Sequence, residues 1–260
     1  DDTTAALGRL AAWHRRHVPA AVVGVTGSNG KTTVKRMIHH VLARRLRGSC
    51  SPKSFNNAVG VPLTLLGVAP GDDYVVCEIG TNAPGEIAAL AGMAAPDVAV
   101  ITSIGPTHLE RLGSVEGVAV EKASIVRHLA DGGMAVICAG CPPLERALAG
   151  CQGKIVRFGE ADEADLRLTD YRPAGFAQRF QINGRLWADL PLPGRHNALN
   201  ALAATAVAQR LGMGREEAAA ALADFDGVEM RLARTECGAV TVIDDTYNAN
   251  PASVHAAAGV

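Results

Sequence analysis

Ala21-Val22-Val23-Gly24-Val25-Thr26-Gly27-Ser28-Asn29-Gly30-Lys31-Thr32-Thr33 sets the fold of this chain. A short apolar run, Ala21 to Val25, passes straight into a glycine-bearing loop, and from Lys31 to Leu46 apolar residues return at helical spacing. The order is strand, loop, helix. Glycines let such a loop bend until its backbone N–H groups point at phosphate oxygens, and the amino end of the helix adds a favourable dipole. Gly27, Ser28, Asn29, Gly30, Lys31, Thr32 and Thr33 are therefore candidate phosphate-binding residues. Lys31 is suited to neutralise the β and γ phosphates of a nucleoside triphosphate, and the Thr32 hydroxyl to hold Mg²⁺. The general pattern G-x-x-x-x-G-K-[ST] is met except at its first glycine, where Val25 stands. A glycine turn with a chance lysine is the competing explanation.

Working outward, the same alternation recurs. Tyr74 to Ile79 leads to a helical pattern over Gly85 to Ala94, closed by Pro96. Val98 to Ile104 leads to a helix near Val115 to Leu129, and Met134 to Cys138 to one near Leu144 to Ala149. Continuous β-branched runs alternating with helices predict an α/β fold, a mostly parallel sheet with helices on both faces. From Lys154 to Leu190 the pattern changes. Arg179 to Ile182 and Arg185 to Leu190 flank an Asn183-Gly184 turn, so a small antiparallel subsheet is expected there. Helices over His196 to Leu211 and Arg215 to Phe225 follow, parted by Gly212 and Gly214, and Val240 to Asp244 begins a further strand. Three segments are expected: 1–20, a linker or helix from a preceding domain; 21–228, a central nucleotide-binding domain; and 229–260, the beginning of a Rossmann-like C-terminal domain. With no initial Met and an end at Val260, just after a helical pattern opens near Ser253, the chain reads as an excerpt from a longer protein.

Composition narrows the function classes. A chain of 260 residues with 48% hydrophobic and 20% charged residues can bury a large core, and its net charge of -1 exerts no general pull on nucleic acid or anionic lipid. No apolar stretch is long enough to span a bilayer, and Asp1-Asp2 does not open a signal peptide. A cytoplasmic monomer with neither nucleic-acid nor membrane partner is expected. Six scattered cysteines make no disulfide framework. Cys138 and Cys141 have C-x-x-C spacing, which suits small buried residues after a strand or, failing that, zinc or redox chemistry.

Further motifs follow the loop in a fixed order: Ser54-Phe55-Asn56-Asn57 with Gly60-Val61-Pro62-Leu63-Thr64, Glu78-Ile79-Gly80-Thr81-Asn82, Thr107-His108-Leu109-Glu110, Pro193-Gly194-Arg195-His196-Asn197, and Asp244-Asp245-Thr246-Tyr247-Asn248-Ala249-Asn250-Pro251. Together with TGSNGKTT at 26–33, this series resembles the Mur ligase family over nearly the whole chain, and most of all the branch that adds D-alanyl-D-alanine. The resemblance implies ATP and two Mg²⁺ ions as cofactors, with UDP-MurNAc-tripeptide and D-Ala-D-Ala as substrates.

It also implies individual roles. Glu78 ends a strand at the carboxyl edge of the sheet, where a lone carboxylate opposite Thr32 suffices for Mg²⁺; a solvated strand-end carboxylate is the alternative. His108 resembles the family histidine that binds a second Mg²⁺, although alone it also suits a surface histidine. Lys122 aligns with the family lysine that carries a carbamate, an anionic oxygen ligand, where the bare spacing suits a helix-surface lysine. Lys31, Glu78, His108 and Lys122 form the expected catalytic set, and Thr32, Glu78, His108 and Lys122 the metal set. His196, Asn197 and Asn200 resemble the family's adenine-binding stretch, with helix capping the alternative for Asn197. Arg231 resembles the arginine that reaches ATP when domains close, and Asp245 the aspartate on the ribose. Glu229-Met230 replaces the Pro-Gly expected before Arg231. Asn56, Asn57, Thr81 and Asn82 are candidates for the muramyl-peptide end.

The reaction implied is ATP-dependent amide ligation through an acyl phosphate. Two alternatives stay open: another amide ligase of the superfamily, such as a diamino-acid-adding, folylpolyglutamate or cyanophycin synthetase type, and a phosphate-loop switch or ATPase.

Overall fold

A computed structural model describes residues 2–260, so Asp1 of the leading segment lies outside the described residues. Helix α1 (Thr3–Arg15) is capped by Asp2, whose carboxylate accepts the Ala5 N–H at 3.0 Å. β1 (Ala21–Thr26), α2 (Lys31–Leu42), β2 (Gly48–Cys50), α3 (Gly60–Leu66), β3 (Tyr74–Glu78), α4 (Glu86–Ala94) and β4 (Val98–Ile101) follow. Next come α5 (Leu109–Leu112), α6 (Val115–Ala123), β5 (Met134–Cys138), α7 (Pro142–Ala147), β6 (Lys154–Gly159), β7 (Leu166–Ala174), β8 (Ala177–Ile182) and β9 (Leu186–Leu190). The chain continues through α8 (Arg195–Arg210), α9 (Arg215–Ala221), β10 (Ala233–Cys237), β11 (Val240–Asp244) and α10 (Pro251–Ala258).

Nine strands form one sheet in the order β2-β3-β1-β4-β5-β6-β7-β8-β9. Successive side chains of a strand point to opposite faces, so strands buried on both sides must be apolar at every position. β1 and β3 meet that demand up to their carboxyl ends, where the buried polar residues Thr26 and Glu78 stand. Val23, Val25, Tyr74 and Val76 join the core beneath α2 and α8. Val22, Val75 and Cys77 face the opposite layer with Ala11 of α1, Val61 of α3 and Ile87 of α4. Each fully buried aliphatic side chain contributes about 1.5–3 kcal/mol, so the two layers hold the sheet between them. Arg15 ties α1 to the sheet by donating to the Ala94 carbonyl at 3.0 Å and to Asp97 Oδ2 at 2.6 Å, and the same oxygen accepts the Val22 N–H at 2.7 Å.

β3 lies on one side of β1 and β4 on the other. The strand order therefore reverses at β1, and the crevice beyond the carboxyl ends of these three strands is where open α/β sheets take ligands. The glycine loop leaves β1 into that crevice.

The α/β class and the helices on both faces agree with the sequence, while several boundaries need correction. Lys154–Gly159 does not belong to the antiparallel part, because β6 pairs parallel with β5. β7 begins parallel to β6 at Phe158↔Leu166 and turns antiparallel only against β8, so the subsheet is continuous with the main sheet. The strand expected to reach Ile104 stops at Ile101, because the Ser103 carbonyl and hydroxyl are recruited by the glycine loop. Helices expected to run to Leu46, Leu129 and Phe225 end at Leu42, Ala123 and Ala221. Short 3₁₀ turns over Ser124–His128 and Leu222–Asp224 extend the last two. α3 was masked in the sequence by Pro62, which sits in the first turn, where no intrahelical N–H is needed. Val240–Asp244 is a strand, but it pairs with β10 in a separate two-stranded sheet. Just before it the backbone turns sharply, with Met230 and Leu232 at positive φ of 57° and 52°.

No helix among the described residues is long and apolar enough to cross a membrane. Cys138 and Cys141 are free thiols, and no group of three or more His, Cys, Asp or Glu gathers as a metal cluster among the described residues.

Candidate functional site

The crevice at the strand reversal opens into a cleft of about 670 Å³, a size suited to a nucleotide-sized ligand. Its floor is the glycine loop. Gly27 takes φ +150°, and a Cβ there would lie 1.9 Å from Thr102 Oγ1. Gly30 caps α2 at φ +83°, where a Cβ would lie 2.7 Å from Asn200 Oδ1. Glycine is thus required by both backbone conformation and space. The end of β4 fixes the loop from the side: the Ser28 N–H donates to the Ser103 carbonyl and the Asn29 N–H to the Ser103 hydroxyl, each at 2.9 Å. The Ser28 hydroxyl bonds the Gly105 carbonyl at 3.0 Å, locking the 103–107 turn that precedes His108.

Lys31 folds back over the loop, donating to the Gly27 carbonyl at 2.8 Å. Burial pulls its pKa below the ordinary lysine range; Glu78 opposes that shift and Arg231 adds to it. The Thr32 hydroxyl donates to Glu78 Oε2 at 3.0 Å, and Asn56 Nδ2 donates to Oε1 at 3.0 Å. Glu78 is 1% exposed, so it is no solvated strand-end carboxylate. The 3.0 Å between the Thr32 and Glu78 oxygens equals the edge of an octahedron with bonds of about 2.1 Å, so the pair fits Mg²⁺ as adjacent ligands.

His108 and Lys122 line the same cleft. His108 sits at the amino end of α5 with φ +54°, a left-handed conformation that a non-glycine residue holds only where its surroundings impose it. Burial, then Lys122 and Lys31, push its pKa down and favour the neutral, ligand-competent imidazole. Lys122 is 2% exposed and not a surface lysine. Burial, reinforced by Lys31 and opposed by Glu121, lowers its pKa to about 7. Glu121 is occupied elsewhere, accepting the Gly85 N–H at 2.8 Å and the Ile87 N–H at 2.9 Å at the start of α4. The cleft therefore sets Lys31 and Arg231, with Lys122 and His108 adding charge whenever they are protonated, around one buried carboxylate, an arrangement that attracts a polyanion.

Of the residues singled out in the sequence, Ser28, Asn29, Gly30, Lys31, Thr32, Asn56, Asn57, Glu78, Thr81, Asn82, His108, Lys122 and Arg231 line this cleft. Gly27 and Thr33 shape it from behind. His196, Asn197, Asn200 and Asp245 are not on its lining. Asn200 lies against Gly30 and donates to Asn197 Oδ1 at 3.0 Å. Asn197 Nδ2 in turn donates to the Pro193 carbonyl at 2.7 Å, so its amide closes the preceding turn and makes no helix cap. Asn197 and Asn200 thus pack as a pair behind Gly30. Burial pushes the His196 pKa down, against the pull of nearby Asp245.

Three participants escaped the sequence. Lys35 bonds Glu78 from one turn further along α2. Asn250 Nδ2 donates to Asn29 Oδ1 at 2.6 Å, and the Tyr247 hydroxyl donates to Ser54 Oγ. The last two lie in a motif quoted above, but only the folded chain shows what they touch.

Residues 25–208 match the model of the Mur ligase middle domain. The chain is 39% identical to UDP-N-acetylmuramoyl-tripeptide–D-alanyl-D-alanine ligase of Bacillus subtilis over 99% of this chain and 56% of that protein. It is 37% identical to the Escherichia coli ligase of the same name over 100% of this chain and 59% of that protein. The crystal structure of MurF from Acinetobacter baumannii superposes with a TM-score of 0.92 at 34% identity, over 99% of this chain and 58% of that one. MurF from Thermotoga maritima in complex with ADP gives 0.90 at 28% identity, over 98% and 60%. The chain thus spans under two thirds of the length of each of these proteins.

Proposed function

The chain belongs to the Mur ligase family, whose middle domain it carries at residues 25–208, and from that premise we propose that it is the ATP-binding part of a ligase joining D-Ala-D-Ala to UDP-MurNAc-tripeptide in peptidoglycan precursor synthesis. The carrying observation is the convergence of Lys31, Thr32, Glu78, His108 and Lys122 on one cleft beside Asn56 and Asn57. The names and identities of the relatives support this choice of substrates. On this reading residues 21–228 are the central domain, the segment before them leads from a preceding domain, and 229–260 begin a Rossmann-like C-terminal domain. The whole acts as a cytoplasmic monomer.

The loop N–H groups and Lys31 hold the β and γ phosphates of ATP. Thr32 and Glu78 would hold one Mg²⁺, and His108 with a carbamylated Lys122 would hold a second. When bound, the two ions neutralise phosphate charge and orient the γ phosphate. With a pKa of about 7, Lys122 presents a substantial neutral fraction at neutral pH. That amine can add to carbon dioxide, forming an N–C bond and losing a proton to water, so a cation becomes an anionic oxygen ligand. Arg231 adds positive charge at the cleft mouth, while His196, Asn197, Asn200 and Asp245 serve the adenosine end. Asn56, Asn57, Thr81 and Asn82 face the muramyl peptide. The terminal carboxylate of the peptide takes the γ-phosphoryl group, giving an acyl phosphate and ADP. The D-Ala-D-Ala amine then attacks that carbonyl and expels phosphate, leaving an amide. The protein's share is to gather mutually repelling anions and stabilise charge in the transfer.

Phosphate release by the complete ligase containing this chain tests the reading. Release should require the tripeptide and D-Ala-D-Ala together, and Lys122→Ala should abolish it. Undiminished release without either acceptor would instead mark a nucleotide-dependent ATPase.

A further inference from the structure

Lys35 is a lysine without access to water. It is 1% exposed on α2, three residues after Thr32, so the two side chains leave the same face of the helix. Its ammonium lies 3.2 Å from Glu78 Oε2, the oxygen that also accepts the Thr32 hydroxyl. On its other side it donates to the Lys53 carbonyl. Lys53 is held at φ +42°, a left-handed conformation that a lysine does not adopt unforced, and it opens the turn that carries Asn56 and Asn57. The turn and its flanks are also bonded to the end of β3 directly: the Glu78 N–H donates to Ser51 Oγ at 3.1 Å, the Ser51 N–H to the Val76 carbonyl at 2.8 Å, the Gly80 N–H to the Asn56 carbonyl at 2.8 Å, and Asn56 Nδ2 to Glu78 Oε1 at 3.0 Å. From its far side Ser54 meets the Tyr247 hydroxyl, and the Tyr247 ring lies 4.1 Å beneath the Arg231 guanidinium.

We propose that Lys35 is a positioning residue that couples the cation-binding carboxylate Glu78 to the 53–57 turn, so that metal occupancy beside the phosphate loop orders Asn56 and Asn57. The inference rests on the proposed role of Glu78 as a Mg²⁺ ligand. The logic is electrostatic. A carboxylate shared by a buried ammonium and a metal ion cannot move toward one without loosening its hold on the other, and this ammonium is also the clamp on the turn. A neutral side chain would fill the same space without passing any displacement of Glu78 to Lys53. A buried ammonium is expensive to desolvate, so packing alone does not account for it.

Amide hydrogen exchange on the 260-residue chain, with ADP and with or without Mg²⁺, tests this. In the parent chain, adding Mg²⁺ should raise protection over residues 31–36 and over 53–60 together. In Lys35→Met, at Mg²⁺ concentrations that saturate both proteins, the gain over 31–36 should persist, while the gain over 53–60 should shrink to what the Asn56–Glu78 bond alone transmits. Equal gains in variant and parent would overturn the proposal. If the parent itself shows no Mg²⁺ response, the assignment of Glu78 fails and takes this inference with it, an outcome distinct from parent and variant responding alike. Should Lys35→Met not fold, the parent still decides, because a gain over 31–36 without one over 53–60 refutes the coupling.

Discussion

Asn250 Nδ2 donates to Asn29 Oδ1 at 2.6 Å, joining the phosphate loop to the start of α10 across 221 residues. The opposite end of the same amide caps the helix, with Oδ1 accepting the Ser253 N–H at 3.0 Å. α10 contributes no fully buried residue among those described, so this amide and the Tyr247–Ser54 bond fasten the C-terminal segment to the cleft beside a small apolar contact in which Leu232 and the partly buried Ala257 meet the core.

Asn250→Asp separates the two roles, since a carboxylate keeps the cap acceptor but cannot donate to Asn29. Amide exchange over 246–258 should accelerate while global unfolding is unchanged, because local opening draws on the least stable parts of a fold. Asn250→Ala loses the cap as well and should cost α10 about 1 kcal/mol more. Parent-like exchange in both variants would show that the amide pair does not fasten the segment.

Two glycines of the loop region predict opposite outcomes. Gly27→Ala would drive a methyl to within 1.9 Å of Thr102 Oγ1 and 3.1 Å of the Ser103 nitrogen at a φ of +150°. It should cost about 1–3 kcal/mol in denaturant unfolding, the usual cost of overpacking, and weaken ADP binding in a calorimetric titration. Gly105→Ala meets Ser28 Cβ at 3.9 Å, ordinary contact, and should stay within about 0.5 kcal/mol of the parent.

The phosphate loop was legible because its determinants are local: strand, glycines, lysine and helix follow one another within residues 21–33. The hairpin at Asn183-Gly184 was legible for the same reason. Glu78, His108 and Lys122 were different. Each has an ordinary surface reading until the sheet order brings the ends of β3 and β4 and the helix α6 to one crevice, and only the motif series pointed to them beforehand. Lys35 was invisible because a lysine in an amphipathic helix reads as solvated, and only its contact with Glu78 shows otherwise. His196, Asn197 and Asn200 were grouped from the sequence only through the motif series, and the bonds of the two asparagine amides to each other and to Pro193 show only in the folded chain. The strand end at Ile101 was misjudged because a tertiary partner, the glycine loop, and not local propensity sets it.

Lys31 donates to two carbonyls of its own loop, at 2.8 Å to Gly27 and 3.4 Å to Ser28, so phosphate must draw the ammonium off them. Lys31→Gln removes a charged donor worth about 1.5–3 kcal/mol and should weaken ADP binding roughly tenfold to a hundredfold. The same change removes a cation that depresses both His108 and Lys122. The His108 titration followed by NMR should therefore move to higher pH. An unmoved His108 would mean that the two groups do not share one field.

Lys122 sets the sign of the pH dependence. Its pKa is lowered from 10.5 to about 7 in the fold, chiefly by burial. Between those values the unfolded chain binds a proton that the native chain does not, so stability rises with pH across that window and is lowest below about 7. Lys122→Met removes the buried amine. It should stabilise the chain by a few kcal/mol below pH 7, with the advantage shrinking as pH rises towards the unfolded lysine pKa. Melting curves from pH 6 to 10 in bicarbonate-free buffer check this. Bicarbonate should then stabilise the parent near neutral pH and leave the methionine variant unchanged, because only the amine can capture carbon dioxide. A parent curve flat in pH and indifferent to bicarbonate would mean that Lys122 stays protonated in the fold, and a protonated lysine cannot become a metal ligand.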